Sequence, residues 1–402
     1  MKQKIFVIGS CIVGILPIMR NNIINVFAEK INYEEKQEKI SIILEEVQKY
    51  SKEILIVKNS KTIFDFAENS YFLVTFKNKG YAVLNNQIND IVEISLDAQN
   101  EFANQKIIYY VPWNGFYLEK NNKIQHYIYM REINNYEIEY FRAFSLAYSQ
   151  KAKIDKETFN NELMSIEDQE GKVDGQIVKA DVEVPYSWYF KLNKNNFPEN
   201  KDGYCGYVAA SMLLAYHEIF ISSGYFSLAQ SSTYLCEHFE ELNNNMWSNV
   251  PSLLDSFPKD MWGNDIGSST PSVIHSAINS FMSGKDKQYE IYDFVWKFAT
   301  IKDPIKDGVP AIYFGNMPMF NDDNPSQRGN HAIVVYGYFN NGKLLCHYGW
   351  PNYNQVIMSE LGMFQQGGVL AIYNKSPHVH KGYFIDLKTN NIYCGCGYPL
   401  QY

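Results

Sequence analysis

The chain has 402 residues, 46% of them hydrophobic and 20% charged, so it carries enough apolar material for a full core and enough length for two or three domains. Its net charge of -8 and pI near 5.6, with guanidinium supplied only by Arg20, Arg131, Arg142 and Arg328, exclude the basic footprint of a nucleic-acid binder. Beyond the first residues no stretch approaches the about 20 apolar residues of a membrane span, so stable membrane insertion is not expected either.

The N-terminus reads as an export signal over residues 1–28. Lys2 and Lys4 form a positive start, Ile5 to Met19 an apolar core, and Val26-Phe27-Ala28 a small-residue cleavage site. The alternative, a lipid-modified Cys11, has only a brief apolar run before it. Residues 29–150 form a separate β-rich unit. Asn32 caps a helix through Lys49 with Ile40, Ile43, Leu44 and Val47 on one stripe. Tyr71–Phe76 and Tyr81–Leu84 flank Asn78-Lys79-Gly80 as a hairpin, and further strands are expected at 106–111, 125–130 and 136–141. The unit has no Cys and one His, His126, a composition that fits packing or inhibition rather than chemistry.

Residues 151–183 are polar and charged, with Gly171 and Gly175, the composition of an exposed connector open to an activating cut; a connector that is never processed is the alternative. Residues 184–402 have the size of one further domain. Val184–Phe190 reads as its first strand, and Thr270-Pro271 starts a helix that Gly284 ends. Val309–Phe314 reads as a buried strand, and the loop from Gly315 to Gly329 offers Met317, Met319 and Phe320 as subsite walls or as plain surface.

Two motifs in this second domain carry chemistry. Cys205 follows the turn Lys201-Asp202-Gly203, and Val208, Met212, Ala215 and Ile219 then repeat at helical spacing, which puts the sulfur at a helix N-terminus. There the macrodipole and open N–H groups favour a thiolate. His331 begins the apolar run Ala332–Tyr338, and Asn340-Asn341-Gly342 turns the chain into Lys343–His347, so a hairpin holds the imidazole beside the thiol as a general base and acid. The second strand returns His347 to the neighbourhood of His331, where a ring nitrogen can orient it. Taken singly, Cys205 is also readable as an inert buried thiol, and His331 and His347 as structural strand histidines. Jointly they make a cysteine peptidase the leading reading.

Gly203-Tyr204-Cys205-Gly206-Tyr207-Val208-Ala209-Ala210 resembles the nucleophile turn and helix of the papain superfamily, and more closely of its secreted bacterial, streptopain-like branch. Gly329-Asn330-His331 with the following strand resembles that family's histidine strand. The resemblance implies an α+β papain-like domain, a helical part followed by an antiparallel β part, preceded by a β-rich prodomain that covers the cleft as an intramolecular inhibitor. It implies protein or peptide substrates and no cofactor. Where the family places an Asn before a Trp-Gly element, this chain reads His347-Tyr348-Gly349-Trp350. Where the family has an upstream Gln in the oxyanion hole, the amide at a suitable distance is Asn200, otherwise a turn residue.

Other readings stay open. Papain-like folds also host cell-wall amidases and acyltransferases, and a non-catalytic adhesin would need no activated thiol. His378 and His380 with Cys394 and Cys396 supply four metal-capable groups at an unusual zinc spacing; a disulfide suits an exported chain better. Removal of the export signal leaves five cysteines, an odd count that suits one free reactive thiol.

Overall fold

A computed structural model describes residues 33–51, 53–163, 173–174, 177–191, 205–217, 221, 271–283, 289–293, 300–315, 331–363, 368–374, 383–385 and 392–394. Helix α1 covers 33–48 and buries Ile43 and Val47, with Ile40 and Leu44 packed beside them, as the stripe requires. Strands β1 (Val57–Phe64), β2 (Ser70–Phe76), β3 (Tyr81–Asn85) and β4 (Asp90–Ser95) form an antiparallel meander. The expected hairpin is β2–β3. β5 (Ile108–Val111) joins β1 in parallel and continues antiparallel into β6 (Gly115–Lys120) and β7 (Lys123–His126).

Two expectations in this unit are corrected. The strand expected over 125–130 stops at His126, whose Nδ1 accepts the backbone N–H groups of Ile128 and Tyr129 while its carbonyl accepts that of Met130, which curls the chain. The strand expected over 136–141 is the start of α2 (Asn135–Leu163). Tyr136, Ile138 and Tyr140 alternate with polar residues as a strand would. The capping box decides the outcome: Asn134 Oδ1 accepts the Glu137 N–H at 2.9 Å and Glu137 Oε2 accepts the Asn134 N–H at 3.0 Å. The helix then buries Tyr140, Phe144, Tyr148 and Ala152 at a four-residue step. It runs through 151–163, where the polar connector was expected to begin; Asp155 there accepts the Gly362 N–H at 2.8 Å.

Residues 173–174 (β8) and 177–178 (β9) pair with each other, and β10 (Val182–Glu183) pairs with β13. The strand expected at Val184–Phe190 instead becomes a turn and the short helix α3 (Trp188–Lys191). Glu183 causes this: its carboxylate takes the Ser187 hydroxyl and the Lys191 ammonium, the latter at 2.6 Å, which pulls the chain back on itself. Helix α4 (Cys205–Tyr216) is buried, and α5 (Pro271–Met282) starts at its proline and buries Ile274, Ala277 and Ile278. β11 (Tyr289–Asp293), helix α6 (Lys302–Lys306), β12 (Ala311–Tyr313), β13 (Ile333–Tyr338), β14 (Lys343–His347), β15 (Val356–Ser359) and β16 (Val369–Asn374) follow. β17 (Tyr383–Ile385) and β18 (Ile392–Cys394) pair separately.

The expected β13–β14 hairpin is present, with Val334 opposite His347 and a bulge between Val335 and Gly337. The two halves share one sheet of 14 strands in the order β11-β16-β12-β13-β14-β15-β4-β3-β2-β1-β5-β6-β7, with β10 also on β13. The seam is β15 against β4, pairing Val356 with Ser95, Ile357 with Ile94 and Met358 with Glu93. The result is a mixed α/β architecture whose sheet is antiparallel except where β1 meets β5.

Candidate active site

Cys205 is the first residue of α4, so the backbone N–H groups at that end have no partner within the helix. The thiol lies against two of them, those of Cys205 itself and Gly206, and against the Ala332 N–H just before β13, each of which favours the thiolate. Burial outweighs them. The residue is 3% exposed, and its thiol is pushed up to about 11, so the sulfur carries its proton in this closed site.

The Ala332 contact brings the sulfur to the residue adjoining His331. His331 lies two residues before β13, and its Nε2 donates to the Tyr348 carbonyl oxygen at 2.7 Å. A carbonyl only accepts, so Nε2 carries the proton and Nδ1 is the basic nitrogen of the neutral ring. The imidazole stacks on Trp350 at 4.3 Å with planes 13° apart. Burial, with a smaller contribution from His126, lowers its pKa to about 3. Both members of the pair are therefore neutral while the site stays covered.

The orienting group differs from the expectation. His347 Nδ1 accepts the Gly349 N–H at 2.8 Å, and the acceptor for His331 is the main-chain carbonyl one residue on. Gly349 makes this possible: its φ is +75°, and an added Cβ would lie 3.4 Å from Val208 of α4, so the 347–350 turn packs directly on the nucleophile helix. A backbone acceptor has no side-chain signature. The only sequence sign was the absence of the family's Asn before Trp350. Asn200 and the loop bearing Met317, Met319 and Phe320 lie outside the described residues, as do residues 1–28, His378, His380 and Cys396. Cys205 and Cys346 are both buried. Among the described residues no group of three or more His, Cys, Asp or Glu is placed to hold a metal.

The N-terminal half reaches this site through residues that sequence reasoning did not assign to it. Tyr129 Oη accepts the Trp350 Nε1–H at 2.6 Å, and the Tyr129 phenol is close enough to Cys205 that a thiolate there would hold the phenol protonated. His126 stacks on Tyr129 at 4.3 Å and meets Trp350 at 5.3 Å, with its Nε2–H on the Asn114 carbonyl. The β5–β6 turn brings Gly115 against the Trp350 ring and sets Trp113 edge-on to Tyr313 at 5.3 Å. Trp113 is buried and has φ +66°, a conformation that a bulky residue adopts only when its surroundings impose it. The lone histidine of the unit was the one available signal.

Residues 184–365 match the Peptidase_C39 like family. The family is by its description a peptidase-like one, and Cys205, His331, Tyr348 and Trp350 all fall inside the matched residues. The structure of a Prevotella intermedia prointerpain A fragment 39–359, carrying a cysteine-to-alanine mutation, is similar with 12% identity and a TM-score of 0.34, covering 79% of this chain and 100% of that one. No curated protein matches the chain.

Proposed function

We propose that the chain is a secreted, streptopain-like cysteine endopeptidase made as a zymogen, acting on protein and peptide substrates. The carrying observation is the Cys205 thiol on the Ala332 N–H, with His331 held by the Tyr348 carbonyl. His331 Nδ1 takes the thiol proton as Sγ attacks the scissile carbonyl, and returns it to the departing amine. The resulting Cys205 thioester is hydrolysed by a water that His331 deprotonates. The Cys205 backbone N–H is one oxyanion donor, and Asn200 is the second expected one. In the uncut chain His126 and Tyr129 lie on Trp350, the ring that stacks on the imidazole, and this cover keeps both groups neutral; a cut in the connector lets this aromatic lid lift.

The test compares the full chain before and after cleavage at a protease site inserted between Met164 and Lys172. Iodoacetamide should label Cys205 slowly before the cut and at least about tenfold faster after it, because the thiolate is the nucleophile. Peptide-library hydrolysis should rise with it and vanish in Cys205→Ala. Hydrolysis that persists in Cys205→Ala would overturn the peptidase reading, and full activity in the uncut chain would overturn the zymogen reading.

A further inference from the structure

The most deeply buried acid in contact with the site belongs to the N-terminal half. Glu93, on β4, is 0% exposed and accepts from three phenols: Tyr81, Tyr110 at 2.9 Å, and Tyr348 at 2.9 Å. The first two lie on its own side of the seam. The third is the residue whose carbonyl holds His331. A chain of contacts thus runs from β4 through the Tyr348 phenol and backbone to the imidazole of the opposite half.

The seam around this carboxylate is built to persist. β4 supplies the pairing edge for β15, and separation would leave a row of open N–H and C=O groups on both strands. Further ties cross it. Gln355 Nε2 donates to Asp97 at 3.1 Å, Ser359 Oγ to Asp90 at 3.2 Å, Lys343 Nζ to the Ile91 carbonyl at 3.2 Å, and Asn341 Nδ2 to Tyr50 Oη at 2.8 Å. Withdrawing Glu93 from Tyr348 also strands a buried acceptor and donor at once, which is costly.

We propose that the N-terminal half is a standing component of the active site, with Glu93 a positioning residue for His331 through Tyr348, and that it stays docked on β15 after the connector is cut. The inference rests on the peptidase reading and changes what activation means. The cut frees the aromatic lid, and the product is a two-chain enzyme held by the seam.

The experiment uses the full chain with the inserted cleavage site. After cutting, both fragments should co-elute on size exclusion and part only in denaturing urea; separate elution with an active C-terminal fragment would overturn the proposal. Tyr348→Phe keeps the ring and the carbonyl and removes the hydroxyl's bond to Glu93 together with its long contact to the Met358 sulfur. In the cut protein it should lower kcat about tenfold with KM little changed, and shift the pH profile of Cys205 alkylation. Glu93→Gln should do the same, and the double variant should be no worse than either single. Wild-type kcat and an unshifted profile in Tyr348→Phe would reduce the contact to packing and overturn the positioning role. Co-elution and the alkylation profile need no peptide substrate, so absence of hydrolysis in the wild type counts against the peptidase reading while these two still decide the inference.

Discussion

At the residue scale, the pair reads as one device. Cys205→Ala and His331→Ala should each remove peptide hydrolysis, and the double variant should be scarcely worse than either, because residues that act as a unit lose function non-additively. Single-turnover rates on one peptide check this; additive losses would separate the two roles. Gly349 carries the geometry between them. Its φ of +75° costs an L-residue about 1–2 kcal/mol, while an added Cβ would only make ordinary contact with Val208 of the nucleophile helix. Gly349→Ala should therefore lower stability by about that amount, read as a fall in the urea midpoint, and reduce kcat together with it. A lowered midpoint with wild-type kcat would show that the turn does not set the imidazole. The placement of Cys205 at a helix start and of His331 just before a strand was legible because each leaves a local pattern in the sequence. Tyr348 was not, since its contribution is a carbonyl that every residue possesses.

At the element scale, legibility followed which signal was strongest locally. The β2–β3 and β13–β14 hairpins each join alternating or apolar runs through an Asn- and Gly-containing turn, and both formed as read. Residues 136–140 gave a period-two pattern that belongs to a helix, because the Asn134–Glu137 box satisfies end groups that no hydropathy pattern registers. That box is testable. Asn134→Ala should destabilise the protein by about 0.5–2 kcal/mol, read as a fall in urea midpoint with unchanged m-value. An unchanged midpoint would assign the start of α2 to packing of Tyr140 and Phe141 alone.

At the scale of the whole molecule, the seam was the feature furthest from view. β4 and β15 lie some 260 residues apart in the chain, and nothing in either segment names the other. Among the described residues, four histidines are buried in ways that hold the ring neutral: the pKa is lowered to about 3 at His126, His331 and His347, and to about 4 at His217. The sign follows from linkage. Unfolding returns each ring to an ordinary value near 6.5, so below that pH the unfolded chain binds up to four more protons than the folded one, and stability falls as pH falls. Glu93 and Asp65 act in the opposite sense, since burial raises their carboxyls and unfolding releases protons from the ordinary carboxylate range up to their raised folded values, which offsets part of the fall. Stability should thus be fully present above about pH 7 and decline between about pH 6.5 and 4, by about 1.4 kcal/mol per pH unit for each ring engaged. Thermal unfolding of the Cys205→Ala chain, which cannot digest itself, should show Tm falling steadily over that window. His126→Asn should flatten the slope by about one proton. A Tm constant from pH 8 to 5 would mean that the four rings reach water in the folded protein, and that the neutral, covered site is not the resting state.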